Sequence, residues 1–348
     1  MVTVRKMKKV LVAMSGGVDS SVAAALLIEQ GFEVCGVTMQ LFDGKENAAA
    51  NDAKNVADAL SIPHYTVDAV DLFEQSVISY FISEYKSGRT PNPCVRCNHK
   101  LKFGLLMDKA VSLGCDFLAT GHYAIIEDGV LRRGVDPHKD QSYFLYPVFA
   151  SPIDKILFPL GGLTKDKVRE TAQKFNLPTA SKKESQDICF IPSGNYLEFL
   201  TSRGIGVNDC GASGNIIDIN GKILGKHTGV YNFTVGQRKG LGALGKRMYV
   251  KQITVDTNTV VAADEEQLET DIIEIKDLLC SKERELKPGD RFNVQIRYRS
   301  KPTFATVISY GSETLRLKFD DPVRAAAPGQ SAVLYDGGIV VAGGVIAA

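Results

Sequence analysis

No run of apolar residues in this chain approaches the ~20 needed to cross a bilayer. Nor is there a charge imbalance. Lys and Arg number 41 against 40 Asp and Glu, a net charge of +1. That argues against a protein that coats nucleic acid, while leaving room for a local basic face. Internal repeats and low-complexity tracts are absent. So is a disulfide framework: Cys35, Cys94, Cys97, Cys115, Cys189, Cys210 and Cys280 are odd in number and dispersed, and read as thiols. The basic start, Met1 to Lys6, precedes an apolar run, Val10 to Met14, too short for a secretory h-region. A cytoplasmic location, with no membrane partner, is therefore the expectation.

What is present is an ordinary globular composition, 44% apolar and 23% charged. At 348 residues the chain exceeds the size at which one core stops growing, so two or three domains are expected. The first half alternates strand-like and helix-like segments. Lys9 to Met14 reads as a buried strand, Ser20 to Gln30 as a helix and Phe32 to Met39 as a strand. Ala48 to Leu60 is Ala-rich and helical, His64 to Val67 a short strand, Leu72 to Tyr85 a helix and Phe117 to Thr120 a strand. This alternation predicts a mostly parallel sheet covered on both faces, with ligands bound beyond the carboxyl ends of its strands.

The texture changes after about Arg203. Ile216 to Asp218 and Lys222 to Leu224 flank Asn220-Gly221, a hairpin signal. Met248 to Val255 and Val260 to Ala263 are β-like. From Arg291 strand follows strand: Phe292 to Tyr298, Thr303 to Ser309, Thr314 to Phe319, Ser331 to Tyr335 and Ile339 to Ala342. The expected architecture is α/β: a doubly wound parallel-sheet domain over 1–205, a small β-rich central domain over 206–270, and an antiparallel β-barrel over 271–348.

Ser15-Gly16-Gly17-Val18-Asp19-Ser20-Ser21, between the first strand and the first helix, is a recipe for a phosphate cradle. Glycines let the backbone approach an anion, and the helix start supplies N–H donors and a positive dipole end. The bland alternative is a Gly-rich turn with a Ser cap. Asp19 is the odd member, because an acid among phosphates is repulsive. Its expected role is to help hold Mg²⁺ or to cap the helix. No Gly-Lys-Ser/Thr follows, so this is not a Walker A loop.

Gly88 to Lys100 carries Thr90-Pro91-Asn92-Pro93-Cys94-Val95-Arg96-Cys97-Asn98. The prolines stiffen a loop, and a helix is expected to start near Asn98. Cys97 would then sit at a helix N-terminus beside Arg96, His99 and Lys100, which favours thiolate. Cys189 lies in a second polar loop, after Lys182 and Lys183. For Cys35, Cys115 and Cys280 the reading is a small buried residue. His64 and His227 read as structural or surface residues.

These strings carry a family resemblance. The Ser15 loop resembles the PP-loop of ATP pyrophosphatases. With Thr90-Pro91-Asn92-Pro93, Cys97-Asn98, Ala119-Thr120-Gly121-His122-Tyr123, Lys139-Asp140-Gln141-Ser142, Asp187-Ile188-Cys189-Phe190 and Thr234-Val235-Gly236-Gln237-Arg238-Lys239-Gly240-Leu241-Gly242, in that order, the chain is similar from about Lys9 onward to tRNA-specific 2-thiouridylases of the bacterial type. The resemblance implies that Ala13, Met14, Ser15, Gly16, Gly17, Val18, Asp19 and Ser20 hold ATP, with Met39 near the adenine and Gly121 completing the pocket. ATP would adenylate the C2 oxygen of a wobble uridine, turning a poor leaving group into AMP. Cys189 would carry sulfur as a persulfide, supplied by a cysteine desulfurase or a sulfur-relay protein. Cys97 would free the product as the nucleophile, leaving a Cys97–Cys189 disulfide to be reduced.

The family loop often reads Thr-Pro-Asn-Pro-Asp, the acid being a candidate base; here that position is Cys94. Either another group or water takes the proton, or no dedicated base is needed. Cys94, Cys97 and Cys189 also make a set of thiols able to ligate an iron–sulfur cluster or zinc. No second Cys-x-x-Cys completes a four-thiolate site, so the reading here is against a metal.

For the RNA, the resemblance implies that Asn92, Pro93 and Cys94 face the target base, which must be splayed out of the anticodon loop. His122, Lys139, Asp140, Gln141, Arg297, Tyr298 and Gln330 would contact tRNA. Arg297-Tyr298-Arg299-Ser300-Lys301 offers cations and a stacking ring on a barrel strand. The Gly-rich Thr234 to Gly242 suits a mobile loop that orders over RNA. The acceptors implied are the tRNAs for lysine, glutamate and glutamine. Two other classes compete: a PP-loop enzyme that adenylates a small acid and transfers nitrogen, which has no use for the two loop thiols, and a tRNA-binding module without chemistry, which has no use for an intact PP-loop.

Overall fold

The computed structural model describes residues 7–43, 48–183, 188–191, 193–205 and 213–347. Asp187 and Cys210 lie outside the described residues. The apolar run Lys9–Ala13 forms β1, buried at its centre. Helix α1 (Val18–Glu29) follows, then β2 (Glu33–Gln40), α2 (Ala48–Ala59), β3 (His64–Asp68) and β4 (Phe117–Thr120). A hairpin of β5 (Ala124–Glu127) and β6 (Val130–Arg133) precedes the short β7 (Ile156–Leu157).

Strands β3-β2-β1-β4-β7 make one parallel sheet in that order. Alternation along β1 covers both faces, since side chains point to opposite sides in turn. Val10 and Val12 pack with Ala24 and Leu27 of α1 and Val56 and Ala57 of α2. Leu11 packs with Phe103 and Leu106 on the other face. The sheet grows outward in opposite directions from β1, so the switch point lies between β1 and β4. In such sheets ligands bind beyond the strand ends at that point. The expected parallel sheet is thus present.

Two helical stretches, over 70–86 and 93–112, contain π turns at Glu74–Ile78 and Asn98–Leu105. The second differs from expectation. Its helix does not begin near Asn98 but at Pro93, which opens it with Asn92 before it. Proline suits a first helical position, where its missing N–H has no intrahelical partner to lose. Cys97 is therefore inside the helix rather than at its N-terminus.

The central sheet comprises β8 (Gly214–Ile217), β9 (Ile223–His227), β10 (Tyr249–Thr254) and β11 (Thr259–Ala263), in the order β10-β11-β8-β9. Asn220-Gly221 turns the β8–β9 hairpin as expected, with Gly221 at φ +85°. The last six strands are β12 (Glu269–Cys280), β13 (Arg291–Gln295), β14 (Thr303–Tyr310), β15 (Leu315–Arg324), β16 (Ser331–Asp336) and β17 (Ile339–Ile346). Their order β12-β15-β14-β13-β16-β17 closes through β12–β17 pairing into an antiparallel barrel. Its interior packs Ile275, Phe292, Val294, Leu315, Leu317 and Leu334.

Two features escape a sequence reading. Strand β12 is rich in acids on its outer face, which hides its buried Ile273 and Ile275. Hairpin β5–β6 pairs with β17 at Arg132 and Ile339, so residues 124–133 share a sheet with the C-terminal barrel.

Candidate active site

The cradle is built from its own hydroxyls. Gly16 takes φ +68°, and a side chain there would strike the Ala49 carbonyl oxygen at 2.5 Å. Ser20 Oγ donates to Gly17 O (3.1 Å) and accepts from Ser15 N (3.2 Å), while Ser21 Oγ donates to Gly17 O at 2.8 Å. Gly17 opens α1 with no side-chain cap. The first-turn N–H groups are thus available to an anion instead of to a cap. From the β4 end, a Cβ on Gly121 would stand 2.7 Å from Ser20 N and 2.8 Å from Asp19 C. Only glycine allows β4 to close against the loop so tightly. Met39 sits partly buried at the end of β2.

Asp19 neither caps α1 nor points at open space. Its Oδ1 accepts from Lys165 Nζ and from the Tyr123 hydroxyl, both at 2.7 Å. Lys165 opens the Lys165–Lys174 helix and is buried. Its backbone N donates to Asp136 Oδ2 at 3.0 Å. That bond, the largest influence on Asp136, holds its carboxyl below the usual range. Asp19 Oδ1 is thus shared between an ammonium and a phenol. Beside it, Lys182 Nζ donates to Gly16 O (2.8 Å) and pairs with Asp52 of α2.

Cys94 and Cys189 are exposed and Cys97 half-buried. Cys189 is carried by a turn, Ile191 N to Ile188 O at 2.8 Å, whose Phe190 is clamped among Phe73, Phe81 and Phe199. The three thiols act on one another electrostatically: Cys94 and Cys97 both raise the Cys189 pKa. The expectation of a lowered thiol pKa at Cys97 is not met. Desolvation by the surrounding chain raises all three thiol pKa values, and the Lys102 ammonium pulls each part of the way back. Among the described residues no group of three or more His, Cys, Asp and Glu side chains is close enough to hold a metal ion. In this conformation the three thiols do not fit a cluster or zinc site.

Short contacts lead from the cradle toward the thiols. His122 follows Gly121. Its Nδ1 lies 2.6 Å from Thr120 Oγ1, and its Nε2 accepts from Lys102 Nζ at 3.0 Å. Burial and the Lys102 charge hold its pKa well below the ordinary value, so the ring is neutral near pH 7. Lys102 lies five positions after Cys97. In an α-helix, with 3.6 residues per turn, such positions face apart. The i→i+5 bonding of the π turn brings them to one side.

Several residues expected to face RNA spend their polar atoms inside the chain. Asp140 is buried, pairs with Arg133 (2.9 Å) and accepts from Gly134 N, Ser142 N and Ser142 Oγ. Gln141 Oε1 accepts from Tyr123 N. Arg297 Nη2 donates to Val235 O (2.8 Å) and Ala325 O (2.7 Å). Gln330 Nε2 donates to Thr90 O (3.0 Å) and Pro91 O (3.2 Å). Tyr298 packs on Phe144, ring centroids 4.4 Å apart. Asn92 and Pro93 are buried and Lys139 is half-buried. In the Gly-rich segment Gln237 bonds Asn232 O and Lys239 O, leaving Arg238 and Lys239 exposed. His64 bonds Thr38 Oγ1 at 2.9 Å, and His227 accepts from Gly229 N. Buried Cys35 has its sulfur 3.7 Å from that of Cys115.

Sequence reasoning missed Lys165 and Lys102, and named Lys182 only as a neighbour of Cys189. One signal was available for Lys165: a lysine in the first turn of a helix opposes the macrodipole, so something else must hold it there.

Residues 8–193 match the family described as "tRNA methyl transferase HUP domain", 208–264 "tRNA methyl transferase PRC-barrel domain" and 270–346 "Aminomethyltransferase beta-barrel domain". The chain is 47% identical to a Carboxydothermus hydrogenoformans protein named tRNA-specific 2-thiouridylase MnmA, covering 97% of each. An Acetivibrio thermocellus protein of the same name is 45% identical, over 97% of this chain and 99% of that one. A 4-thiouridine synthetase–RNA complex with bound ATP shares 17% identity and a TM-score of 0.37, over 56% of this chain and 50% of its own. A likeness that distant does not bear on function.

Proposed function

The chain belongs to the tRNA-specific 2-thiouridylase family, and from that premise we propose that it makes 2-thiouridine at the wobble position of tRNA by adenylation followed by persulfide transfer. The observation that carries the reading is the chain of contacts leading from the phosphate cradle toward the thiols: Ser20 against Gly121, and His122, the next residue, bonded to Lys102, five positions after Cys97 on the helical stretch that opens at Pro93. A site that only bound RNA would need neither end of it.

ATP lies with its phosphates over Ser15 to Ser20 and the uncapped start of α1. Lys165, held by Asp19, supplies positive charge to the leaving pyrophosphate. Magnesium travels with ATP as charge compensation, and no side chain is assigned to it. The uracil C2 oxygen attacks the α-phosphorus, and pyrophosphate leaves. The terminal sulfur of a Cys189 persulfide attacks C2, and AMP departs with the former carbonyl oxygen. The Cys97 thiolate then attacks Cys189 Sγ. The S–S bond to the base breaks, the 2-thiouridine leaves, and a Cys97–Cys189 disulfide forms, to be reduced by an external two-electron donor. The sulfur comes from a persulfide donor such as a cysteine desulfurase. Lysine, glutamate and glutamine tRNAs are the proposed acceptors, and the location is cytoplasmic, where they are found. Lys139, Tyr298, Arg238 and Lys239 are the proposed RNA-facing side chains.

Unmodified tRNA, ATP and a persulfide source are incubated with the protein, and 2-thiouridine is read by mass spectrometry. Cys97→Ser and Cys189→Ser should each abolish turnover. Full activity in either variant refutes its assigned role.

A further inference from the structure

The turn between β15 and β16 is bonded directly to the loop that carries Asn92, Pro93 and Cys94. Thr90 N donates to Pro328 O at 2.8 Å. Gln330 Nε2 returns two bonds, to the carbonyl oxygens of Thr90 and Pro91. Between them sits Gly329, buried, at φ +89°. A Cβ on it would meet Thr90 O at 2.9 Å and Glu84 Oε2 at 3.0 Å, so the turn and the loop touch backbone to backbone.

Both sides of this contact are braced. Glu84 is buried and holds Arg89 through both carboxylate oxygens, at 2.5 and 2.8 Å. The barrel turn is pinned to the last strand by Gly329 N to Ile346 O (3.0 Å) and Ile346 N to Gln330 O (2.8 Å). The central domain closes the loop's other end, where a Cβ on Gly88 would press on Ile253 and Val255 at 3.2–3.3 Å. Two regions distant in sequence, and Glu84 close by, thus converge on four residues, 88–91.

We propose that Pro328-Gly329-Gln330 is a positioning device that holds the target-base loop in register, with Gln330 a positioning residue acting through Thr90 and Pro91. A side-chain amide that donates to two backbone carbonyls has spent both hydrogens. Its loss frees the carbonyls ahead of Asn92, and the displacement passes along the chain to Pro93, Cys94 and Cys97. Misplacing reacting groups by 1 Å costs about 10²-fold in rate. The barrel therefore contributes to the chemical step as well as to binding. This proposal rests on the reading of residues 92–97 as the face of the uridine site.

Gln330→Leu keeps the size of the side chain and removes both donors. The expected result is a fall of about 10- to 100-fold in the single-turnover rate of 2-thiouridine formation at saturating tRNA and ATP, with the tRNA Kd within twofold of the parent. Deuterium exchange at the Thr90 amide of the free protein should quicken. Gly329→Ala, at a buried position RNA cannot touch, should reproduce the rate loss; if it fails to fold, Gln330→Leu and the exchange measurement decide. A weaker Kd with an unchanged saturated rate makes Gln330 an RNA contact and overturns the proposal. Unchanged exchange at Thr90 overturns it as well. If the parent protein makes no 2-thiouridine, the functional reading fails, while the exchange measurement still decides the clamp.

Discussion

Replacing Lys165 by methionine removes the ammonium from Asp19 and leaves a carboxylate facing the Tyr123 hydroxyl alone. The gross Coulomb attraction of two unit charges 2.7 Å apart is about 6 kcal/mol at an effective dielectric constant near 20. Most of that is offset by desolvation of the lysine, whose side chain is only 10% exposed. Asp19, at 33%, keeps some water once the partner is gone. Bonds to charged groups contribute about 1.5–3 kcal/mol net, so a loss of about 2 kcal/mol is expected. At roughly 2–4 °C per kcal/mol for a domain of this size, the melting temperature should fall about 4–8 °C. The catalytic loss should be larger. Removing a preorganised donor from a developing charge costs about 10²–10³ in rate. AMP formed in the presence of unmodified tRNA reads that step without requiring sulfur. Lys165→Arg, which keeps the charge, should recover part of the rate. Asp19→Asn should lower the melting temperature while leaving the cation in place for phosphate. A Lys165→Met protein that releases AMP at the parent rate would refute the assignment of this lysine to the leaving pyrophosphate.

Three further outcomes are expected. Iodoacetamide should alkylate Cys97 slowly near pH 7 in the free enzyme, the rate still rising above pH 9, because desolvation favours the neutral thiol; Lys102→Met should slow it further at each pH, and a rate that levels off below pH 7.5 would contradict both claims. Arg297→Ala should cost about 2–3 kcal/mol in a melting experiment by stranding the carbonyls of Val235 and Ala325, whereas a residue that only touches RNA would leave the melting temperature unchanged. Protein purified without oxygen should contain neither iron nor labile sulfide, and stoichiometric amounts of both would show that Cys94, Cys97 and Cys189 can close around a cluster that their present geometry does not accommodate.

How far the sequence leads depends on the range of the interaction. The strand before Ser15, the helix after it and the hairpin at Asn220-Gly221 are local matters of apolar period and turn chemistry, and all are legible. So is the family, because its strings are short and contiguous. The start of the helix at Pro93 was obscured because the same proline that ends a helix also suits its first position. With that start went the argument for an acidic Cys97. Strand β12 was hidden by outward acids, and the place of hairpin β5–β6 because its partner strand β17 lies far along the chain.

The sequence by itself determined the cradle, the two candidate thiols and the order of the three regions, since each is written in residues that lie side by side. Only the tertiary structure decided what surrounds them. Lys165 reaches Asp19 across 146 positions, Arg297 reaches Val235 across 62 and Gln330 reaches Thr90 across 240. Each of these pairs joins a charged or amide side chain to a partner that composition and period do not name. Burial sets their strength, and burial exists only once the domains have met.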